Sequence, residues 1–434
     1  MTASLYVHIP FCASLCDYCD FFSVPINAKN DVNVINTFID NFINNLLADI
    51  EEQIAVFGVD RVPTVYIGGG TPSALGAARI ERLLAGVRAA LKPMKGGGVI
   101  EEFTVEANPE SADEDFLQAC ASGGVSRISL GVQTFHDPSR RAVHRIGDGA
   151  LVEQRLALAA RYFPGAFSVD LIAGLPFQTE ALIREDIGRA LAFRPGHISL
   201  YSLTLEPQTP LGERVTRHGA EAVSLPRGDE ADDLWIAGRD ALEKAGLAQY
   251  EVSSFALPEK TCAHNIRYWR MENWIGAGPA ASGTIIDDAT GTGRRYTYPP
   301  DIDAYFKKTS HGGHGGDCPA DSLEGTENTK GIQNFSTPCP PYSPYLRVRN
   351  WKLEELDKAA LIRETLLMGF RYRGGPDPVS FKRRFGCSIE DLIPQTISRW
   401  RARGFFDAEQ SGLAPSPNGL LFLNAFLRDA FGEL

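Results

Sequence analysis

The sequence lacks the features of an exported or membrane-spanning chain. It has no run of 18 or more apolar residues, so we expect no transmembrane helix. Its first residues, MTASLYVHIPFC, lack the basic stretch and apolar core of a secretory signal. We therefore expect a cytoplasmic protein with no integral membrane segment.

Basic tracts are also missing. The chain has 43 Lys and Arg residues against 54 Asp and Glu residues, a formal net charge of −11, and no Lys/Arg-rich run. Binding to nucleic acid needs a basic face, so we expect no nucleic-acid partner. The surplus of acidic residues mainly promotes solubility.

The eight cysteines do not form the pattern of a disulfide framework. Five of them are scattered along the chain, which is typical of free thiols in a reducing compartment. The other three fall within eight residues near the start, with the spacing Cys-x3-Cys-x2-Cys. These three are Cys12, Cys16 and Cys19.

The first two thirds of the chain alternate short apolar runs with longer amphipathic segments. Apolar strands separated by helices predict βαβ units around a buried parallel sheet. Six such units predict an α/β fold, a partial (β/α)6-type barrel. The predicted strands are 5–10, 64–70, 102–108, 127–133, 167–174 and 197–204, and the predicted helices are 34–57, 77–91, 113–122, 149–161 and 180–193.

The composition changes after the barrel. We predict a barrel domain over 1–290, a linker or flexible insertion over 291–350, and a small, mainly helical, winged-helix-like domain over 351–434. The linker prediction rests on the Gly-, Pro-, Ser- and Thr-rich stretch 307–345. This stretch also contains His311, His314 and Cys318, for which metal binding is an alternative.

Polar residues follow the predicted strands at their C-terminal ends. Glu106, Gln133, Asp170 and Thr204 stand there, as does the run from Gly68 to Thr71. In parallel α/β folds this edge carries the functional site. Turn residues at strand ends are the alternative interpretation, which suits the glycines better than the carboxylates.

Three thiolates so close together would repel one another, which favours a bound metal centre. One possibility is a zinc ion with a fourth ligand such as His8, although a histidine within the first strand is poorly placed to close the loop. Another is a four-iron cluster, in which three protein ligands leave one iron open to an external molecule. Three unligated cysteines are the remaining alternative.

The cysteine spacing, with Tyr18 just before the last cysteine, resembles the signature of the radical S-adenosylmethionine superfamily. This resemblance implies a 4Fe-4S cluster on Cys12, Cys16 and Cys19. It also implies that the amino and carboxylate groups of S-adenosylmethionine chelate the open iron. The superfamily fold is a full or partial β/α barrel, in agreement with the strand pattern.

Further motifs resemble those of the oxygen-independent coproporphyrinogen oxidase group. They occur in its order over residues 4–285: YVHIPFC, YIGGGTPS, VEANPE, ISLGVQTF, DLIAGLP and HNIRYW. The oxidases have a longer N-terminal arm and continue the cysteine loop as Cys-x-x-Cys-x-Cys. Here Asp20 and Phe21 follow Cys19, which resembles the haem-chaperone (HemW) branch.

That resemblance implies a haem chaperone that delivers haem to acceptor proteins such as respiratory enzymes. The alternative is a coproporphyrinogen III oxidase that forms protoporphyrinogen IX by radical decarboxylation, an activity that we do not expect. A zinc-stabilised β/α protein of unrelated function is a third possibility.

The resemblance also implies site residues. Gly69, Gly70 and Thr71 would present backbone to the amino group of S-adenosylmethionine, and Arg145 would suit its carboxylate. Asp170 would suit the ribose hydroxyls. A packing role is the alternative for the histidine of HNIRYW. The full cofactor set is Tyr6, Tyr18, Gly69, Gly70, Thr71, Glu106, Gln133, Arg145, Asp170 and Thr204, and the haem-binding set is His264, Tyr268 and Trp269.

Overall fold

The computed structural model of the chain describes residues 1–26, 32–306, 350–408 and 412–434. The stretch 307–345, with His311, His314 and Cys318, lies outside these residues. Within the described ranges, no helix has both the length and the hydropathy needed to cross a bilayer.

The described strands form one large mixed sheet and one small two-stranded sheet. In chain order they are β1 (Ser4–Ile9), β2 (Phe11–Cys12), β3 (Val24–Pro25), β4 (Thr64–Gly69), β5 (Glu102–Ala107), β6 (Arg127–Gln133), β7 (Phe167–Ala173), β8 (His197–Ser202), β9 (Ala248–Gln249), β10 (Ser254–Ala256), β11 (Trp274–Ala277), β12 (Ser282–Asp287), β13 (Thr292–Thr297) and β14 (Lys352–Leu356).

The α-helices lie between and after these strands. They are α1 (Val32–Val56), α2 (Ala77–Leu91), α3 (Glu114–Ser122), α4 (Asp137–Ala142), α5 (Gly149–Tyr162), α6 (Glu180–Leu191), α7 (Pro210–His218), α8 (Glu230–Lys244), α9 (Ala263–Trp269), α10 (Ile302–Phe306), α11 (Lys358–Gly369), α12 (Pro378–Phe385), α13 (Ile389–Leu392), α14 (Pro394–Ala402), α15 (Pro417–Leu420) and α16 (Leu423–Glu433). Short 3-10 turns occur at Pro72–Leu75, Lys95–Gly97 and Glu221–Val223.

The six strands of the predicted barrel pair in parallel in the order β1, β4, β5, β6, β7 and β8. Helices α1, α2, α3, α5 and α6 follow within the crossovers, so the α/β fold with a partial (β/α)6 core is confirmed. One face of β1 is apolar and buried, with Leu5, Val7 and Ile9 fully inaccessible, whereas Ser4, Tyr6 and His8 alternate with them on the other face. All strands of this set point their C-terminal ends to one edge.

Local sequence fixes several helix starts where the pattern predicts them. Asp113, Asp148 and Thr179 precede α3, α5 and α6, and each side chain accepts a hydrogen bond from a backbone N–H of the first turn. The predicted bounds of α2 (Ala77–Leu91) and β6 (Arg127–Gln133) agree with the structure at both ends.

Antiparallel strands extend both edges of the parallel sheet. Strand β10 pairs with β8 and β9, whereas β11 pairs in parallel with β1 and leads to β12, β13 and β14. The stretch 248–256 folds as β9 and β10, with Gln249 opposite Phe255 across a tight turn.

Part of the predicted linker over 291–350 is regular structure. Strand β13 and helix α10 lie within it, because buried aromatic side chains attach this segment to α1. Tyr298 donates to Asp49 Oδ1 at 2.6 Å, and Tyr305 donates to Asp49 Oδ2 at 2.7 Å. The domain boundaries at 290 and 350 stay predictions.

The predicted helical C-terminal region is confirmed. Helices α11 to α16 surround a second apolar core, in which the Phe405 and Phe426 rings stack with centroids 4.2 Å apart. An antiparallel bridge between Phe406 and Pro415 accompanies them. The region is joined to the main sheet, since β14 pairs with β13.

Candidate functional site

The C-terminal ends of the parallel strands surround a cavity of about 490 Å³. The predicted cluster and cofactor residues line this cavity with one exception, Tyr6. Those that line it are Cys12, Cys16, Tyr18, Cys19, Gly69, Gly70, Thr71, Glu106, Gln133, Arg145, Asp170 and Thr204. The structure thus brings together residues that lie up to about 190 positions apart, and their individual roles stay predictions.

The cysteine loop leaves the sheet just after β1. Cys12 ends β2, and the chain returns beside it in β3, where Ile26 N–H donates to the Cys12 carbonyl at 2.8 Å. Between the two short strands, Cys19 N–H donates to the Cys16 carbonyl at 3.2 Å. This turn directs the three cysteine side chains to the same cavity.

Asp17 anchors the middle of that loop. Its side chain is 9% exposed and accepts from His144 Nδ1 at 2.7 Å, while Arg214 Nη2 lies 2.6 Å from its second oxygen. Its carbonyl accepts from Leu211 N–H at 2.8 Å. One residue therefore connects the cysteine loop to the segment after α4 and to α7.

The three thiols suit a bound metal centre. Burial raises the pKa of Cys12, and burial together with the thiols of Cys16 and Cys12 raises the pKa of Cys19 to about 11. Thiolates at these positions need a nearby cation to form at neutral pH. Three soft sulfur donors on one cavity wall are the donor set that an iron–sulfur cluster takes, so the residues fit such a cluster.

His8 is not placed as a fourth zinc ligand. Its ring is 5% exposed, with Nδ1 at 3.0 Å from the Tyr6 hydroxyl and Nε2 at 2.9 Å from the Phe22 carbonyl. Among the residues that the structure describes, no three His, Cys, Asp or Glu side chains converge as ligands of one metal ion. The zinc alternative would require His8 to give up one of these two contacts.

The glycine loop after β4 approaches its neighbours closely. Gly69 has φ of +112°, and a Cβ atom there would lie 2.6 Å from the His8 ring. Gly70 N–H donates to the Ile9 carbonyl at 2.8 Å. Only glycine allows both the positive φ and the close approach to His8 at position 69. Because it has no side chain, the backbone there stays open to a ligand in the cavity.

Glu106 lies at the centre of this wall. Its Oε1 accepts from the Tyr66 hydroxyl at 2.6 Å, and its Oε2 accepts from Gly69 N–H at 3.2 Å. Burial, opposed by the Tyr66 hydrogen bond and reinforced by the charge of Asp170, raises the pKa of Glu106 to about 7. A cationic group in the cavity, such as an amino group, would favour the charged carboxylate.

Arg145 and Asn108 join three parts of the site. Arg145 Nη2 donates to Asn108 Oδ1 at 2.7 Å and also to the Gly131 carbonyl, and Nη1 donates to Cys16 Sγ at 3.4 Å. Asn108 Nδ2 donates to Thr71 Oγ1 at 2.9 Å. The buried Nε–H of Arg145 has no hydrogen-bond partner among the described residues, so a donor remains for an anionic ligand.

The other cofactor candidates differ in their exposure to the cavity. Gln133 ends β6 beside a register shift and has φ of +68°, a rare conformation for a side-chain-bearing residue that often marks functional sites. Asp170 accepts from Ser129 Oγ at 2.9 Å, and burial raises its pKa. Tyr6 lies behind the wall, with its ring stacked on Tyr66 at 6.3 Å.

Several cavity residues were missed from sequence. Asn108 stands at a strand end inside the VEANPE motif, and its position was the available signal. Tyr201 and Leu15 line the cavity and are 43% and 46% exposed, and nothing in their local sequence distinguishes them from packing residues.

The predicted haem-binding residues lie on α9, away from the cavity. Glu102 accepts from the backbone N–H groups of Ala263 and His264 at 3.0 and 2.9 Å, which fixes the start of this helix. His264 is fully buried next to Thr64, the first residue of β4, and therefore at the opposite end of the strands from the cavity.

Both ring nitrogens of His264 are engaged. Nδ1 lies 2.9 Å from Thr64 Oγ1, and Nε2 lies 3.0 Å from the Tyr268 hydroxyl. Burial lowers the pKa of His264 to about 3, so the ring is neutral. The structure brings His264 and Tyr268 into contact, and the indole Nε1 of Trp269 is buried without a hydrogen-bond partner among the described residues.

Comparisons with known proteins agree with this architecture. The model of the radical SAM superfamily matches residues 6–190. In fold, the chain is similar to the solved coproporphyrinogen III oxidase HemN from Escherichia coli, described as a radical SAM enzyme. The TM-score is 0.73 at 20% identity, over 100% of this chain and 90% of that one.

Curated relatives are more similar in sequence. The heme chaperone HemW of Lactococcus lactis subsp. lactis is 32% identical over 91% of this chain and 88% of its own length. The heme chaperone HemW of Escherichia coli is 36% identical over 65% of this chain and 70% of its own. That of Bacillus subtilis is 27% identical over 99% and 100%. The chain belongs to the HemW family, within the radical SAM superfamily.

Proposed function

We propose that this protein is a haem chaperone that binds haem and passes it to haem-accepting proteins. The observation that carries the proposal is the similarity to proteins named heme chaperone HemW along almost the whole chain, from the cysteine loop to the C-terminal helices. Phe21 supports it as well. This residue lines the cavity and is 66% exposed, at the position where the oxidase branch resemblance implies another cysteine.

Membership of the radical SAM superfamily implies a 4Fe-4S cluster and S-adenosylmethionine. We propose that Cys12, Cys16 and Cys19 hold the cluster. When bound, these two groups supply one-electron chemistry at an open iron site. The chain's own contribution would be to bind and orient: Glu106 would accept hydrogen bonds from an amino group, and Arg145 would donate to a carboxylate through its unpartnered Nε–H.

The haem contact of His264, Tyr268 and Trp269 remains a prediction. His264 has no free ring nitrogen in the described arrangement, because Thr64 and Tyr268 occupy both. An imidazole that ligates iron needs one free nitrogen. A haem iron contact at this residue therefore requires Thr64 or Tyr268 to give up its hydrogen bond with the ring.

The partners and the location follow from the same proposal. The acceptors would be haem-requiring proteins such as respiratory enzymes, to which the chain docks transiently. We propose a cytoplasmic location, which is supported by the free state of the cysteines that the structure describes. Reduced thiols and an iron–sulfur cluster both suit a reducing compartment.

The test begins with anaerobic reconstitution of the cluster, followed by titration with haem and an oxidase assay on the same preparation. We expect a stable haem complex with a shifted Soret band, transfer of haem to an apo-acceptor, and no protoporphyrinogen from coproporphyrinogen III. If no haem complex forms, the chaperone proposal is wrong. If protoporphyrinogen accumulates with S-adenosylmethionine and reductant, the oxidase alternative replaces it.

Two cysteine variants test the cluster ligands, one in the cavity and one as its matched control. Cys16→Ser removes a predicted ligand in the cavity, whereas Cys387→Ser changes a half-buried thiol in the C-terminal region. We expect the first variant to lose iron and the broad absorbance near 400 nm, and the second to retain both. Equal iron content in the two variants would contradict the predicted ligand set.

A further inference from the structure

A continuous line of contacts runs from α9 to the cofactor cavity. The rings of His264 and Tyr66 are in contact, with centroids 5.2 Å apart and planes inclined by 32°. The Tyr66 hydroxyl donates to Glu106 Oε1 at 2.6 Å, and Glu106 Oε2 accepts from Gly69 N–H. Among the described residues, Tyr66 contacts both His264 and Glu106 and so links α9 to the cavity wall.

His264 is held so that its ring cannot rotate freely. Thr64 Oγ1 donates to Ser4 Oγ at 2.9 Å, so Nδ1–H of His264 donates to Thr64 and Nε2 accepts from the Tyr268 hydroxyl. Glu102 fixes the start of α9 by accepting a hydrogen bond from the His264 backbone N–H. The imidazole therefore presents a fixed face to Tyr66.

Tyr66 is enclosed on two sides. Tyr6 stacks against it with centroids 6.3 Å apart, and His264 covers it from the end of the barrel. A phenol ring fixed between two rings directs its hydroxyl to one place. That place is the Glu106 carboxylate, whose Oε1 accepts from this hydroxyl at 2.6 Å.

We infer that His264 and Tyr268 are positioning residues of the cofactor cavity: they fix Tyr66, and through its hydroxyl they orient the Glu106 carboxylate. The inference rests on the proposal that Glu106 contacts S-adenosylmethionine. It gives the HNIRYW segment a role that does not depend on a haem contact.

Orientation matters at Glu106 because its ionised form is costly to bury. The groups that face it are Tyr6 on β1, Tyr66 on β4, Asp170 on β7 and Tyr201 on β8, of which Tyr66 and the Gly69 backbone donate hydrogen bonds to it. Loss of the Tyr66 bond removes a stabilising donor, and the pKa of Glu106 rises further. Binding of a cationic amino group would then need a higher pH.

Three single-hydroxyl variants test the inference. Tyr66→Phe removes the donor to Glu106, and Tyr268→Phe removes the donor to His264 while leaving every ring in place. Tyr298→Phe is the matched control: this hydroxyl is also buried and bonded, to Asp49 and Gln53 on α1, on a different part of the fold from α9 and Glu106. Each variant is reconstituted with cluster before S-adenosylmethionine and haem are titrated.

For Tyr66→Phe we expect S-adenosylmethionine affinity to fall about tenfold, as is typical when a hydrogen-bond partner of a binding group is removed. Tyr268→Phe should also lower the affinity for S-adenosylmethionine, but by a smaller factor. In both, the pH midpoint of binding should move upward. The double variant should bind no more weakly than Tyr66→Phe alone, because both changes act through one hydroxyl.

The inference is overturned if Tyr268→Phe binds S-adenosylmethionine with the wild-type pH midpoint, or if its effect adds fully to that of Tyr66→Phe. A loss in Tyr298→Phe equal to that in Tyr268→Phe would also overturn it, since the cause would be general destabilisation. Wild-type protein that fails to bind S-adenosylmethionine refutes the proposed cofactor site itself. The haem titration of the wild-type protein tests the chaperone proposal separately.

Discussion

Glu106→Gln should make the protein more stable at alkaline pH while it weakens the binding of S-adenosylmethionine. Burial, against the hydrogen bond from Tyr66, raises the pKa of Glu106 from 4.5 to about 7. Between these two values the folded chain binds a proton that the unfolded chain has released. Folding stability therefore falls as pH rises through this window, and it stays at the lower value above the pKa of the folded state.

The size of the effect follows from the two pKa values. A difference of one unit corresponds to about 1.4 kcal/mol, so ionised Glu106 costs about 3 kcal/mol of unfolding free energy at pH 8. A glutamine removes that cost, but it offers one acceptor oxygen in place of two, and a lost hydrogen bond costs about 1 kcal/mol. We expect the variant to be about 2 kcal/mol more stable than the wild type at pH 8, and about 1 kcal/mol less stable near pH 4.5, where the ionisation cost is absent and only the lost hydrogen bond counts.

Urea unfolding at several pH values measures this difference, on protein prepared without S-adenosylmethionine. Glu81→Gln is the control, since Glu81 is an exposed glutamate on α2 that does not line the cavity. A Glu106→Gln protein that is no more stable than the wild type at pH 8 would refute the reasoning. So would a gain that is the same at pH 4.5 and pH 8, because it would not come from ionisation.

Three further variants test the cavity wall and the cysteine loop. Gly69→Ala places a methyl group 2.6 Å from the His8 ring at φ of +112°, so calorimetry should show S-adenosylmethionine affinity lowered by at least about tenfold, and an unchanged affinity would contradict the close packing of this loop. Arg145→Lys replaces a planar fork by a point charge and should weaken the same binding about tenfold, whereas equal affinity would show that the fork is not used. Asp17→Asn weakens the ion pair with Arg214, so the cluster should be lost to a chelator several times faster than from the wild type; equal rates would mean that this anchor does not hold the loop.

Much of the barrel could be predicted because each element is specified locally. The run 127–133 alternates the apolar residues Ile128, Leu130 and Val132 with other residues, and it becomes a strand with those bounds. The helix Ala77–Leu91 has a 3.6-residue apolar period that buries Ile80, Leu84 and Val87 against the sheet. Parallel strands then place their C-terminal ends together, so the cavity residues could be grouped before any distance was known.

Elements that depend on distant partners were harder to predict. β13 lies in a segment that we predicted as a linker, since its alternation of Gly, Arg and Tyr carries little apolar signal. It forms because Tyr296 and Tyr298 pack beneath Trp351, which belongs to the next described stretch of chain. A single-sequence pattern contains no information about that pairing.

The HNIRYW segment shows a second limit of sequence reasoning. The chemistry of imidazole, phenol and indole makes His264, Tyr268 and Trp269 good candidates for a porphyrin contact, and this holds whether the side chains are exposed or buried. Accessibility is set instead by Glu102 and Thr64, which lie on β5 and β4 and hold α9 against the end of the barrel. The same histidine is therefore chemically suited to bind iron, but in the structure its ring packs against Tyr66. A ligand that required its free nitrogen would have to compete with the contacts that orient Glu106, so its affinity should be lower when S-adenosylmethionine is bound.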